Sequence, residues 1–420
     1  MKKGSSALLT IFLVILVDLI GFGIILPLIP YYASTFHATP IAIGFLFSIY
    51  SLAQLIFSPI WGGLSDRIGR RPIMMISTLG AAVAYVVFAL SNNLPMLFFS
   101  RLLAGIMGGN ISTGYAYVAD ITSHEDRAKG MGLIGAAFGI GFVLGPALAT
   151  ILIHPRFLSF LNLDTAHKYM LPGFFACALS VLSFILVLTK LKETVHHTLH
   201  EEEEPIAYEQ GETGLFKSSI FSKGFWQFLL QKQSSIIPHL FLLLVGCAFL
   251  NSFAQSSLYS AFPLYCKNIM NISAGHVGTL YVYMGVVAVI IQGVLIRIIT
   301  RWLSEKKVFL IGSIIMPIGL AAVAFMPSKG WLAFSLCVMS LGASLYGPTL
   351  NSLISKEADP SQLGRAMGIS QGISALARVL GPAWGGFLFG IQYRLPFLLT
   401  AGLLSFAIIV GVSIQSKLDV

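Results

Sequence analysis

Residues 131–146 read MGLIGAAFGIGFVLGP, and residues 367–382 read MGISQGISALARVLGP. Met131–Gly132 and Leu144–Gly145–Pro146 recur 236 positions later as Met367–Gly368 and Leu380–Gly381–Pro382. The correspondence extends outward from there. Pro30 and Tyr32 recur as Pro263 and Tyr265, 233 later, and Gly105 recurs as Gly342, 237 later. A nearly constant offset in three separate regions implies one unit written twice along the chain.

Each copy sits in a long apolar run. Twelve such runs occur, at 7–31, 41–63, 73–91, 95–119, 131–152, 170–189, 239–265, 275–296, 308–326, 330–352, 366–389 and 395–415. Of the 420 residues, 56% are hydrophobic and 10% charged. An ordinary soluble domain has roughly 45–50% and about 25%. Mean hydropathy is +0.84. So few charges cannot cover a soluble surface, so lipid is the solvent for most of this chain. Lipid offers no partner for open backbone, so the runs must be helices. The predicted fold is an all-α integral membrane protein of twelve transmembrane helices, arranged as two pseudo-symmetric six-helix bundles. The bundles cover 1–189 and 239–420. A connecting loop spans 190–238. Duplicated halves related by an axis along the membrane normal place a site between them, near the midplane.

The connections on the side of the two chain ends hold most of the 26 Lys and Arg. That asymmetry predicts cytoplasmic termini and a cell inner (plasma) membrane location. The net charge of +9 does not point to nucleic acid, because the basic residues are scattered rather than gathered on one face. In the central loop, Glu201–Glu204 reads as a solvated tether. Residues 215–233 mix Phe216, Phe221, Phe225, Trp226 and Phe228 with Lys217, Lys223 and Lys232, as a helix lying on the membrane surface would. The bland alternative is a stiff linker.

Between the second and third runs lies GGLSDRIGRRP, 62–72. This short Gly-rich charged turn brings two helix ends together. Asp66 can accept from backbone N–H groups at a helix N-terminus, and Arg70 can pair with Asp120. The segment resembles the loop signature G-x-L-x-D-R-x-G-R-[RK] of the major facilitator superfamily, matched by Gly62, Leu64, Asp66, Arg67, Gly69, Arg70 and Arg71. VDLIGFGIILPLIP (17–30), RLLAGIMGGN (101–110), YVADIT (117–122) and GFVLGP (141–146) are similar to the twelve-span drug:proton antiporters, in their tetracycline-efflux branch. Two departures stand out. Ala149 and Thr150 replace the last two glycines of the fifth-span G-P-x-x-G-G, which is intact at Gly381–Gly386. The acid expected of a tetracycline exporter in the ninth run is missing, so tetracycline is not carried over. The resemblance implies that residues 62–72 with Asp120 form a latch holding the outward-open state. It also implies that the kinks at Gly141, Gly145 and Pro146, and at Gly381 and Pro382, seal the halves. Close packing alone would also explain the glycines.

Three charges fall within the runs: Asp18, Arg101 and Arg378. Charge at such depth is costly and marks a functional candidate. Asp18 lies roughly 16 Å deep at 1.5 Å per residue. As the sole embedded acid, it is the candidate proton carrier, or else a permanent ion pair. Arg101 is within reach as its tuning partner, or it merely neutralises Asp18. Arg378 has no acid in its own half, which leaves a carbonyl, a chloride or an anionic substrate group. Tyr50, Gln54, Asn251, Gln255, Tyr259 and Gln371 are the candidate cavity residues beside it. No cofactor is expected beyond a coupling proton. The sequence shows no metal cluster, nucleotide loop or catalytic nucleophile, which argues against an enzyme. The resulting expectation is a monomeric, proton-coupled exporter of a small molecule, with lipid as its surroundings. An uptake symporter or facilitator, and a non-transporting receptor or lipid-handling protein, are the alternatives.

Overall fold

The computed structural model describes residues 2–108, 110–122, 127–162, 168–194, 239–325, 328–357 and 363–416. The central-loop tether and the 215–233 segment lie outside them. Among the described residues there is no strand. Twelve helices of the described residues are long and apolar enough to cross a membrane. Spans one to six are Ala7–Ile25, Pro40–Ile68, Arg70–Ala89, Leu94–Ile121, Gly130–Leu152 and Met170–Lys190. Spans seven to twelve are Leu240–Asn268, Ala274–Trp302, Glu305–Val323, Lys329–Glu357, Ala366–Ile391 and Leu395–Ile414. An even number puts both chain ends on one face, called here the terminal face, opposite a distal face.

Local chemistry sets the span ends. Thr39 accepts from the Ala42 amide at 3.3 Å and Asn93 from Met96 at 2.9 Å, each followed by a proline in the first helical turn. Proline fits there because that turn's amides have no helical partner. The run expected at 7–31 is two elements: the first helix ends at Ile25, and a short helix Ile29–Thr35 follows at the distal face. Pro27 and Pro30 supply no amide donor across the break, which interrupts the helical ladder. The outer surface carries Leu79, Val83, Phe99, Ile151, Ile318 and Ile409 exposed, as a lipid-facing belt requires.

Within each half several spans pack backbone to backbone, and one such pair recurs in both halves. A Cβ on Gly23 of span one would come 2.8 Å from the Gly141 carbonyl oxygen of span five. A Cβ on Gly381 of span eleven would come 2.6 Å from the Phe253 carbonyl oxygen of span seven. Two further crossings join the halves at the distal side, span two to eleven and span five to eight. Tyr31 donates to the Ile272 carbonyl at 2.6 Å and Thr150 to the Gly275 carbonyl at 2.9 Å across this seam. One apolar core here draws on both halves, through Tyr31, Phe47, Ile153, Phe262, Tyr265 and Ile272. Toward the terminal face the cores separate. One contains Ile11, Met74, Tyr117 and Val187, and the other Phe241, Phe309, Tyr346 and Val410. The molecule is therefore closed at its distal face.

Candidate functional site

A cavity of about 640 Å³ lies between the halves on the terminal side of that seam. Span one contributes Asp18 and Phe22, and span two contributes Phe47, Tyr50 and Gln54. Span seven contributes Gln255 and Tyr259, and span eleven Gln371 and Arg378. Asp18 and Arg378 are the only charged residues among the described lining. They face the cavity from different halves.

The wall is ordered by ring packing. Phe22 stacks on Tyr50 with centroids 5.1 Å apart and meets Phe142 edge-on at 6.1 Å. Phe47 of the first half and Tyr259 of the second lie 6.2 Å apart, where the cavity meets the seam. Gln54 donates to the Gly108 carbonyl at 3.0 Å, tying span two to span four. Six candidate residues line the cavity: Tyr50, Gln54, Gln255, Tyr259, Gln371 and Arg378. Asn251 does not, contrary to the sequence expectation. It lies one helical turn from Gln255 and accepts that side chain's amide at 3.0 Å. The aromatic wall of Phe22, Phe47, Tyr85, Tyr115, Phe138 and Phe142 was not marked by the sequence pattern. In an apolar helix an inward aromatic looks like a lipid-facing one.

Arg101 is 1% exposed and does not line the cavity. Its guanidinium lies 5.5 Å from the Tyr50 ring centroid and 5.7 Å from that of Phe88. Its Nε and Nη2 have no hydrogen-bond partner among the described residues. Tyr50 and Tyr85 are each within electrostatic reach of both Arg101 and Asp18. The two sequence candidates thus act on one pair of tyrosines. Arg378 makes no hydrogen bond or ion pair among the described residues; its electrostatic neighbours are Tyr50, Tyr115 and Tyr259.

Twelve spans, duplicated halves and a central cavity define a transporter-like frame. A family model for the Major Facilitator Superfamily matches residues 11–360 and 244–415. The chain belongs to the Major Facilitator Superfamily. This superfamily member is 28% identical over 421 residues to Multidrug resistance protein 2 of Bacillus subtilis, covering 99% of this chain and 96% of that relative. It is 28% identical over 383 residues to Tetracycline resistance protein, class B, of Escherichia coli, covering 90% and 86%. Among solved structures it is similar to a human organic anion transporter, with a TM-score of 0.67 and 23% identity, covering 97% and 99%. A bacterial homologue of the lysosomal transporter Spinster, in an inward-facing and occupied conformation, gives 0.73 at 13% identity, covering 98% and 97%. At those identities the solved structures show the fold alone. The protein is a membrane transporter, and not an enzyme.

The superfamily loop signature organises the terminal face of the first half. Span two ends at Ile68 and span three begins at Arg70, leaving Gly69 alone as the turn. Its φ of +105° is open to glycine and strained for other residues. Arg70 donates from Nε to Asp120 at 3.1 Å and from Nη1 to Ser65 at 2.7 Å, and it also pairs with Asp66. The helix N-terminus expected to attract Asp66 is held by a different acid. Glu193 accepts the amides of Arg70 at 2.9 Å and Arg71 at 3.1 Å. It neutralises the positive end of span three. Sequence reasoning missed Glu193 because it lies past span six, more than 120 positions from the turn. Gly62 packs near Ser112 of span four, and Arg67 is exposed. Every described contact of this cluster stays within the first half. In the second half, Glu305 and Lys356 pair at 2.7 Å. They stand 235 and 236 positions after Arg70 and Asp120, with the charges exchanged.

Proposed function

We propose that this transporter exports an amphipathic small molecule in exchange for protons, by alternating access, and that Asp18 carries the proton. The observation behind this is that Asp18 is the one carboxylate among the described lining of the cavity. A carboxylate there can be reached by substrate and proton in turn, and an ionisable group at membrane depth marks a functional candidate. Relatives named for multidrug and tetracycline resistance support efflux as the direction. Arg101, behind Tyr50, tunes Asp18 through the shared tyrosines. On this reading the terminal face is cytoplasmic, in a plasma membrane. The closed distal seam then makes the structure the inward-facing state. The loop cluster around Arg70 is the latch for the opposite state, at rest within its own half.

The test uses proteoliposomes with an imposed pH gradient. Wild-type protein should accumulate substrate against its gradient, and Asp18→Asn should retain folding and substrate exchange while losing the proton drive. Full proton-driven transport by Asp18→Asn would remove Asp18 from this role. A second reading, proton-linked uptake of an anion, is favoured by Arg378, which has no hydrogen-bond or ion-pair partner among the described residues. It requires substrate and protons to move in the same direction.

A further inference from the structure

A second hollow, of about 340 Å³, is lined by Thr150, Ile151, His154, Arg156, Phe157 and Phe160. It shares no residue with the central cavity. We propose that it binds one anionic phospholipid of the distal leaflet, whose headgroup phosphate is held by Arg156 and His154.

The local sequence builds the hollow. Span five ends at Leu152, and the chain turns at once into the short helix Pro155–Phe160. Leu158 is buried and pins that helix to the bundle. Phe160, by contrast, is 80% exposed and Ile151 52%. No described residue covers them, so the hollow opens toward lipid, and an acyl chain can lie along this apolar wall. The polar end is supplied by two exposed side chains. Arg156 makes no side-chain hydrogen bond or ion pair among the described residues. His154 accepts the Arg156 amide on Nδ1 at 3.2 Å. A ring that accepts there carries its hydrogen on Nε2, which has no partner among the described residues. A guanidinium fork matches phosphate oxygens, and the imidazole N–H adds a second donor beside it.

Charge selects the class of lipid. Toward the distal face the sequence places five basic residues, Arg156, Lys168, Lys267, Lys329 and Arg394, against one acid, Asp164. That excess attracts a headgroup of net negative charge over a zwitterionic one, whose ammonium it repels. The volume sits at the lower end of the roughly 300–1,000 Å³ of small-ligand sites, enough for a headgroup with its chains trailing into the bilayer. Thr150 lines the hollow and also reaches the Gly275 carbonyl across the seam at 2.9 Å. A seated headgroup therefore packs against a residue that joins the halves.

Native mass spectrometry of the full chain in detergent tests this, with phosphatidylglycerol and phosphatidylethanolamine of identical chains offered together. The wild-type chain should retain phosphatidylglycerol about fivefold or more over phosphatidylethanolamine, the weight of one basic side chain at an anionic headgroup. Arg156→Gln should erase that preference, and Phe160→Ser should lower retention. Arg394→Gln, which removes a distal charge outside the hollow, should leave the preference intact. Equal retention of the two lipids by the wild-type chain overturns the proposal, as does equal loss in Arg156→Gln and Arg394→Gln. Competition by glycerol 3-phosphate at the same concentration would make this a site for a soluble phosphate instead. A dimer that Phe160→Ser dissociates would give the hollow to a second copy of the chain. A preference that appears only in Asp164→Asn would mean that the chain's own acid takes Arg156, and the lipid site would fall.

Discussion

The carbonyl oxygen of Pro382 lies against the α-carbon of Gly44, so close that an added Cβ would sit 2.5 Å from it. The repeat produces the same contact a second time. The Pro146 carbonyl oxygen would lie 2.8 Å from a Cβ on Gly278. Gly44 and Gly278 are 234 positions apart, and Pro146 and Pro382 are 236 apart, so the two crossings between the halves are copies of one another. In each, a proline-bearing span presses its backbone onto a glycine of the other half. Both meet at the distal face.

Substitution of Gly44 or Gly278 by valine should therefore open the distal face without unfolding either bundle. Overpacking a fitted contact costs about 1–3 kcal/mol, enough to shift a two-state equilibrium roughly 5–150-fold. Spin labels at positions 41 and 391, both exposed at the distal end, should move apart in Gly44→Val. Unchanged label distances would show that the crossing has slack.

Thr150 stands where the antiporter motif has glycine, and its hydroxyl lies 2.9 Å from the Gly275 carbonyl across the seam and 3.0 Å from Pro146 within span five. Thr150→Val keeps the shape and removes the donor. A net hydrogen bond is worth about 0.5–1.5 kcal/mol, so the closed distal face should lose population by roughly two- to tenfold. The same label pair reads it. A larger effect than that of Gly44→Val would be contrary to expectation.

The two repeat-related ion pairs on the terminal face should differ in weight. The Arg70 side chain is 11% exposed and serves Asp120, Ser65 and Asp66, whereas the Lys356 side chain is 63% exposed. Arg70→Ala removes three charge-assisted contacts at once and should lower stability by about 2 kcal/mol, as loss of a partly buried charged partner does. Lys356→Ala should cost about 0–1 kcal/mol. Thermal unfolding in detergent compares them directly, and equal losses would contradict the burial argument.

Arg101 offers a way to separate stability from function. Its guanidinium is buried between two rings, with two of its nitrogens unbonded among the described residues. Replacing such a group by an apolar side chain of similar length is often neutral or stabilising. Arg101→Met should therefore keep or raise the melting temperature while abolishing proton-linked transport. A variant that unfolds would mean Arg101 holds the bundle together.

Much of this was legible in the sequence. The twelve runs and the 236-residue recurrence follow from composition and spacing, because lipid permits little besides helices and each helix must be long enough to cross. The paired Pro–Gly crossings were half visible. The repeat displayed Pro146 and Pro382, but nothing in it says which glycine each meets. Span one was overextended to residue 31 because hydropathy does not register the amides that Pro27 and Pro30 lack. In the cavity, Asp18, Gln54 and Arg378 stood out as polar residues in apolar surroundings. Phe22 and Tyr85 did not, since facing inward depends on neighbours far away in sequence. Asn251 fitted the helical spacing and is bonded to Gln255 one turn along without itself lining the cavity, a difference that spacing alone does not display.

The two Pro–Gly crossings have one more property: both are built from backbone atoms. They contain no group that gains or loses a proton and no ion that salt can screen. Ionic strength and acidity should leave the intrinsic strength of these crossings untouched. Any pH dependence of the transport cycle then enters through titratable side chains elsewhere, among them Asp18 in the cavity and the carboxylates around Arg70, leaving the two backbone crossings as mechanical elements.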